Sequence, residues 1–286
     1  MITVPELAAE ALGSFLSAHM TRRFGPSQGG LIEAIPSAAR LALESIGNSD
    51  ALYHNVEHTM LVTLVAYDIM KGRSLLKPTS VSDYAHLIVA CLFHDIGFVR
   101  GILPGDNSEE GYAVDKDGSK VRLPRGSSDA ALTPYRVERS KLFVTHRLGK
   151  SKLIDAQRVA NVIEYTRFPI SEPDLPYNEE GSLARAANII GGLGDPQYLL
   201  KVNALFHEFE EIGLNKQYGY TSPADLIDLH PKLYLNSLST HLQTAIRYLN
   251  VTSSGRQWIA CLYSNVYRAE GELRAGTMAG VSACQS

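Results

Sequence analysis

Cysteine is scarce in this 286-residue chain: Cys91, Cys261 and Cys284 are odd in number and far apart. That excludes a disulfide framework and a paired-thiolate zinc site, and it fits a reducing compartment, so the cytoplasm is the expected location. An excess of one charge is also missing. Twenty-seven basic against thirty acidic residues leave a net charge of −3, without the positive field that draws a protein to nucleic acid or an anionic membrane. Long apolar runs are absent, the longest being Leu87 to Phe93, far short of the roughly 20 residues that cross a bilayer. The amino terminus lacks a basic stretch and carries Glu6 and Glu10 inside its apolar pattern, which reads as an amphipathic helix rather than a secretory signal. Strand-like alternation is nearly absent.

What the chain does contain is apolar residues at helical spacing, such as Leu61, Val62, Val65, Ala66 and Ile69, or Leu87, Ile88, Cys91 and Leu92. Helices are expected over 5–23, 31–46, 55–71, 81–96, 128–147, 152–166, 181–193, 197–212, 223–229, 237–249 and 254–274. The fold class is all-α, a single helical domain over 1–286 with a frayed tail after Ala275. A long irregular loop at about 100–127 interrupts it, where Asp117-Gly118 would turn a small hairpin; loops of this length are often functional, as lids are. A second break, rich in proline, runs from Phe168 to Tyr177.

The chemistry concentrates in Tyr53-His54-Asn55-Val56-Glu57-His58 and in His94-Asp95-Ile96-Gly97. On a helix, His54 and His58 stand at i and i+4 and share a face. His94 and Asp95 are adjacent and point about 100° apart on a second helix, so both can reach an ion from the flank. A charged doublet inside the apolar stretch AHLIVACLFHDIGF costs several kcal/mol to bury without a partner. Two imidazoles and one carboxylate meeting on one metal would compensate it, and that donor set suits Zn²⁺, Fe²⁺ or Mn²⁺.

This order of residues resembles the HD superfamily of metal-dependent phosphohydrolases, which is all-helical and runs His, then His-Asp, then a distant Asp; the resemblance covers roughly residues 50–212, the HD-like core. The stretch YHNVEH is also similar to the YHNxxH signature of cyclic-nucleotide phosphodiesterases. The resemblance implies His54 as general acid, and His58, His94 and Asp95 as metal ligands. The matching stretch for the last ligand, Arg185-Ala186-Ala187-Asn188-Ile189-Ile190-Gly191, carries Asn188 where the superfamily has Asp. A natural loss, a tolerated neutral ligand and a deliberate Asp-to-Asn replacement all fit that residue. The nearest aspartate, Asp195, lies seven residues on, two helical turns away. Leu61 stands where the phosphodiesterase signature continues with Asp.

Around this core, Asn55, Arg136, Arg139 and Arg167 are candidate substrate-binding residues, the two middle arginines at i and i+3 in a basic stretch over 116–152 suited to phosphate oxygens. His146 is a candidate ligand for a second metal, with Mg²⁺ a possible second ion. The expected function is a metal-dependent phosphohydrolase acting on a nucleotide or another small phosphorylated metabolite, weakened by Asn188. The alternatives are a metal-poor ligand-binding pseudoenzyme and a non-haem di-iron oxygenase.

Overall fold

The computed structural model describes residues 1–168 and 178–283, with side chains to residue 271. The described residues form twelve α-helices and one two-stranded hairpin. In chain order they are α1 (Val4–Phe24), α2 (Gly29–Ile46), α3 (Val56–Leu76), α4 (Val81–Phe93), β1 (Tyr112–Ala113), β2 (Lys120–Val121), α5 (Arg136–Leu148), α6 (Ala156–Glu164), α7 (Glu179–Leu193), α8 (Tyr198–Glu211), α9 (Leu214–Tyr218), α10 (Pro223–Leu233), α11 (Ser239–Leu249) and α12 (Ser253–Ala283). The all-α expectation holds. No helix among the described residues is long and apolar enough to cross a membrane.

The helix starts follow side chains that satisfy first-turn N–H groups. Thr3 with Glu6 and Ser80 with Asp83 form reciprocal capping boxes on α1 and α4. The core lies where α3 packs against α4, α7 and α11, and where α4 meets α2 and α6. Val62, Ile69, Leu87, Phe93, Ala187 and Ile190 are buried at its centre. Gly191 allows α7 to approach α3 closely, because a Cβ there would sit 2.8 Å from the Cα of Val62.

Several boundaries differ from the sequence expectation, each for a physical reason. The helix expected over 128–147 begins as a 3₁₀ segment, Asp129–Tyr135, containing Pro134, which has no N–H to give an α-helical ladder. Helix α4 stops at Phe93 rather than continuing to 96. The Ser140 hydroxyl of α5 donates to the His94 carbonyl and accepts from the Gly97 N–H, both at 2.9 Å, replacing the ladder. Gly97 fits there because a Cβ would come within 2.0 Å of the Arg136 carbonyl oxygen. The short helix α9 had no expected counterpart, α12 continues past the expected end at 274, and residues 169–177 of the proline-rich break lie outside the described residues.

The hairpin expected at Asp117-Gly118 is present. Tyr112 pairs with Val121 and Ala113 with Lys120, and Gly118 takes the positive φ of 84° that the turn requires.

Candidate metal centre

The two histidine motifs sit at helix ends, not within helices. Asn55, extended at φ −127° and ψ −170°, is the N-cap of α3, so His54 precedes the helix and His58 lies in its first turn. The i, i+4 geometry expected for this pair is thus replaced by a corner, yet the two rings still meet edge to face at 5.3 Å between centroids. The Asn55 side chain accepts from the N–H groups of Glu57 and His58 and donates to the Leu52 carbonyl. It serves the cap and also lines a cavity that opens on His58. His94 caps the end of α4, and Asp95 follows at φ −112° and ψ 7°.

Three buried donor atoms converge without hydrogen-bond partners: His58 Nε2, His94 Nε2 and Asp95 Oδ2. Asp95 Oδ2 lies 3.0 Å from His94 Nε2 and 3.5 Å from His58 Nε2. His94 Nδ1 is 2.8 Å from the Cys91 carbonyl oxygen; a carbonyl only accepts, so Nδ1 carries the proton. For a neutral ring, that leaves the Nε2 lone pair facing a carboxylate oxygen. Two acceptors at that separation call for positive charge between them. The contrast with His86, on the same helix, is direct: its Nδ1 donates to the Ser82 carbonyl and its Nε2 accepts from the Asp155 N–H, so both nitrogens are satisfied.

One ligand atom each from His54, His58 and Asp95 also lies within 4.8 Å of the other two. The group His54, His58 and Asp95 can therefore hold a metal ion, with His94 beside Asp95. Burial pulls the His58 pKa down to about 4, so its imidazole is neutral and ligand-competent at neutral pH. Burial pushes the Asp95 carboxyl up, but His94 and Arg136 beside it hold it well below the usual carboxylate range.

His54 has a partner that the sequence reading missed. Glu208, buried on α8, accepts from the N–H groups of Tyr53 at 2.7 Å and His54 at 3.1 Å, and its other oxygen lies 2.5 Å from His54 Nδ1. Burial alone would lower the His54 pKa, yet the Glu208 carboxylate outweighs it and raises it above the ordinary histidine value. Glu208 is itself pushed up by burial and brought below its usual value by His54 and the two N–H groups. The signal available in sequence was slight: Glu208 flanks the stripe Tyr198, Val202, Leu205 and Phe209, where a carboxylate faces inward. The neighbouring His207 is exposed.

The arginines take different places from those expected. Arg136 is buried and donates to Asp95 Oδ1 at 3.1 Å and to the Thr166 carbonyl at 2.7 Å. It orients the carboxylate and leaves Oδ2 for the cluster. Arg139 is fully buried and commits its guanidinium to the carbonyls of Gly97, Val99 and Ala113 and to Asp106. No donor remains for a phosphate, because Arg139 pins the root of the 100–127 loop. Arg167 pairs with Glu164 and Glu138. His146 is exposed in the last turn of α5.

Asn188 lies half-buried on α7. Gly192, one turn on along α7, carries a position where a Cβ would stand 3.9 Å from His58 Cε1. Asp195 does not join it. Its carboxylate accepts from the Gln197 N–H and pairs with Lys201 at 2.5 Å. A cavity of about 200 Å³, lined by Tyr53, His58, Leu61, Asp195 and Lys201 among others, opens on His58.

Fold and site together define an all-α protein with a buried histidine and aspartate group able to hold a metal ion. The chain belongs to the Npun_R2479-like family, whose profile matches residues 3–272. No curated protein and no solved structure matches it.

Proposed function

We propose that the protein is a metal-dependent phosphohydrolase of HD type, acting on a nucleotide or another small phosphoester. The observation that carries this reading is the convergence of His58 Nε2, His94 Nε2 and Asp95 Oδ2, buried and without hydrogen-bond partners, beside the hydrogen-bonded His54–Glu208 pair. His58, His94 and Asp95 would hold the ion, with Asn188 as the proposed fourth ligand; nitrogen and oxygen donors favour Zn²⁺, Mn²⁺ or Fe²⁺. When bound, such an ion supplies Lewis acidity toward a phosphoryl oxygen.

The remaining work falls to the chain. Glu208 engages His54 Nδ1 and raises the pKa of the ring, which would leave Nε2 as the proton donor when the ring is protonated. As water adds to phosphorus and the ester P–O bond breaks, that proton goes to the leaving oxygen. Arg136 holds Asp95 by one oxygen and fixes the direction of the other. Tyr53 and Asn55 fix the backbone on either side of His54.

Elemental analysis of the purified protein, followed by phosphate release from nucleotides and sugar phosphates after stripping and reloading with Mn²⁺ or Zn²⁺, tests the reading. Metal-dependent release is expected, stronger in Asn188→Asp. Absence of release in both proteins with every ion would overturn it. A second reading, a metal-poor ligand-binding protein, is favoured by one observation: Asn188 brings no charge and Asp95 is already paired with Arg136.

A further inference from the structure

Helix α1 is apolar on two faces. Leu12, Leu16 and Met20 are buried where α1 packs on α2 and touches α3, as expected of a helix that gives one stripe to the core. The other side carries Val4, Leu7, Ala11, Phe15 and Ala18, all exposed, with Val4 and Leu7 accessible to 78% and 55%. Their spacing of three and four residues is that of a packing seam. Ser14 completes the stripe and Glu10 stands at its edge. A stripe facing water is ordinarily charged, so this one calls for a cover.

The seam is a ridge between two depressions. On one flank Phe15, Leu64, Tyr67 and Trp258 wall a groove of about 500 Å³. On the other, Ile2, Glu10, Ser14 and Pro36 wall one of about 370 Å³. Charge is segregated along the same helix, with Glu6 and Glu10 in its first half and Arg22 and Arg23 in its last turn. Glu6 is paired with Arg40 and Arg23 donates to the Ser74 carbonyl. Glu10 and Arg22 have no salt-bridge partner among the described residues.

We infer that the exposed face of α1 is the interface of a two-fold dimer, covered by α1 of a second copy of this chain running antiparallel. A ridge flanked by depressions is complementary to itself under a two-fold rotation, as an isologous contact requires. Antiparallel alignment sets the Arg22 end of each helix beside the Glu6 and Glu10 half of the other and opposes the two helix dipoles. Parallel alignment would stack like charges. A lipid surface fits less well, because helices that lie on membranes are rich in basic residues along the polar face, and the rim of this seam is acidic. The seam from Val4 to Ala18 spans about four helical turns, so the pair belongs with the smaller interfaces, and micromolar dissociation is expected.

Sedimentation equilibrium of the full chain from about 1 to 200 μM should show a monomer–dimer equilibrium. Emission from Trp258, the single tryptophan, should change along it, since that residue walls the groove beside Phe15. Leu7→Gln and Phe15→Gln, at exposed positions and checked for helix content by circular dichroism, should each weaken dimerisation by at least about tenfold, because every change enters a two-fold interface twice. Glu10→Lys and Arg22→Glu should each weaken it alone. Mixed in equal amounts they should restore it, because opposite charges then meet at both ends, an outcome that altered helix stability cannot produce. A chain that stays monomeric throughout, including one that floats with phosphatidylserine vesicles instead, would overturn the inference. So would a dimer whose affinity none of these substitutions changes. A dimer weakened by Leu7→Gln and Phe15→Gln, but not restored by mixing the two charge variants, would overturn the antiparallel arrangement.

Discussion

Replacing Glu208 by Gln changes the least volume for the largest change in charge at the centre. The amide oxygen can still accept from the N–H groups of Tyr53 and His54, now held at 2.7 and 3.1 Å. The amide nitrogen then faces His54 Nδ1, donor against donor, unless the imidazole gives up that proton. A charge-assisted buried hydrogen bond is lost, at a cost of about 1.5–3 kcal/mol. Without the Glu208 anion, burial, the largest influence on His54, is opposed by Asp95 alone while Arg136 acts with it, and the His54 pKa should fall. The sign of the stability change with pH follows. His54 has a raised folded pKa, so its contribution is complete below the usual 6.5 and is lost as pH rises through the folded value. Glu208 has a depressed one, so its contribution is complete above the usual 4.5 and is lost as pH falls through the folded value. The gap in unfolding free energy between the native protein and Glu208→Gln should accordingly be widest from about pH 5 to 6.5 and narrow on the alkaline side. Urea unfolding across that range, with an NMR titration of the His54 ring, measures both quantities. Hydrolysis of an alkyl phosphate should fall by about 10²–10⁴-fold, and that of a nitrophenyl ester, whose leaving group needs no proton, by less. A gap that does not vary with pH, together with an unchanged His54 titration, would refute the assignment of Glu208 as the residue that raises the His54 pKa.

Asp95→Ala should abolish metal binding, measured by elemental analysis, and also lower thermal stability, because it strands the Arg136 guanidinium; breaking a buried pair in this way costs about 3–5 kcal/mol. Asn188→Asp should tighten Mn²⁺ binding by at least about tenfold, since changes one shell further out already cost that much; equal calorimetric affinities in the two proteins would remove Asn188 from the ligand set. His230, with both ring nitrogens buried and unpaired and a pKa lowered to about 4, binds a proton more readily in the unfolded chain, so stability should fall by about 3 kcal/mol as pH drops from about 6.5 to 4. His230→Leu should flatten that slope, as followed by chemical denaturation at several pH values.

The periodicity of apolar residues was enough to place nearly every helix, because a helix that buries one face must repeat that face every three to four residues. It located ends less well, since ends are set by partners distant in sequence. The termination of α4 depends on Ser140, 46 residues beyond the His94 carbonyl to which it donates. Burial of His94 and Asp95 was legible for the opposite reason, because a charged doublet inside LIVACLFHDIGF has nowhere else to go. Glu208 was not legible. It lies 154 residues from His54, and in HEFEE nothing local marks one carboxylate as buried among three. Arg139 misled, because an arginine spaced three residues from another looks the same whether it meets phosphate or, as here, the carbonyls of a loop. Its place is fixed by the hairpin root it holds, and the tertiary contacts that decide this leave no trace in spacing.

Charge at the cluster ties these observations together. A divalent ion held at the histidine and aspartate cluster would meet one carboxylate, Asp95, which already shares its charge with Arg136 through Oδ1. Asn188 adds a dipole in place of a second anion, and the nearby Glu208 is matched by His54. Attraction by net charge is therefore small, and the bonds to neutral imidazole must carry most of the affinity. Hard ions such as Mg²⁺ and Ca²⁺ depend on anionic oxygen and gain least from such a set, whereas borderline ions that accept nitrogen gain most. On the proposed function the low charge would also bear on the substrate, since each formal carboxylate removed from the vicinity of a phosphate reduces repulsion. If Asn188 is a ligand as proposed, it would sit on both sides of this balance of attraction and repulsion, and metal affinity and substrate KM would then have to be measured together in any variant at this position.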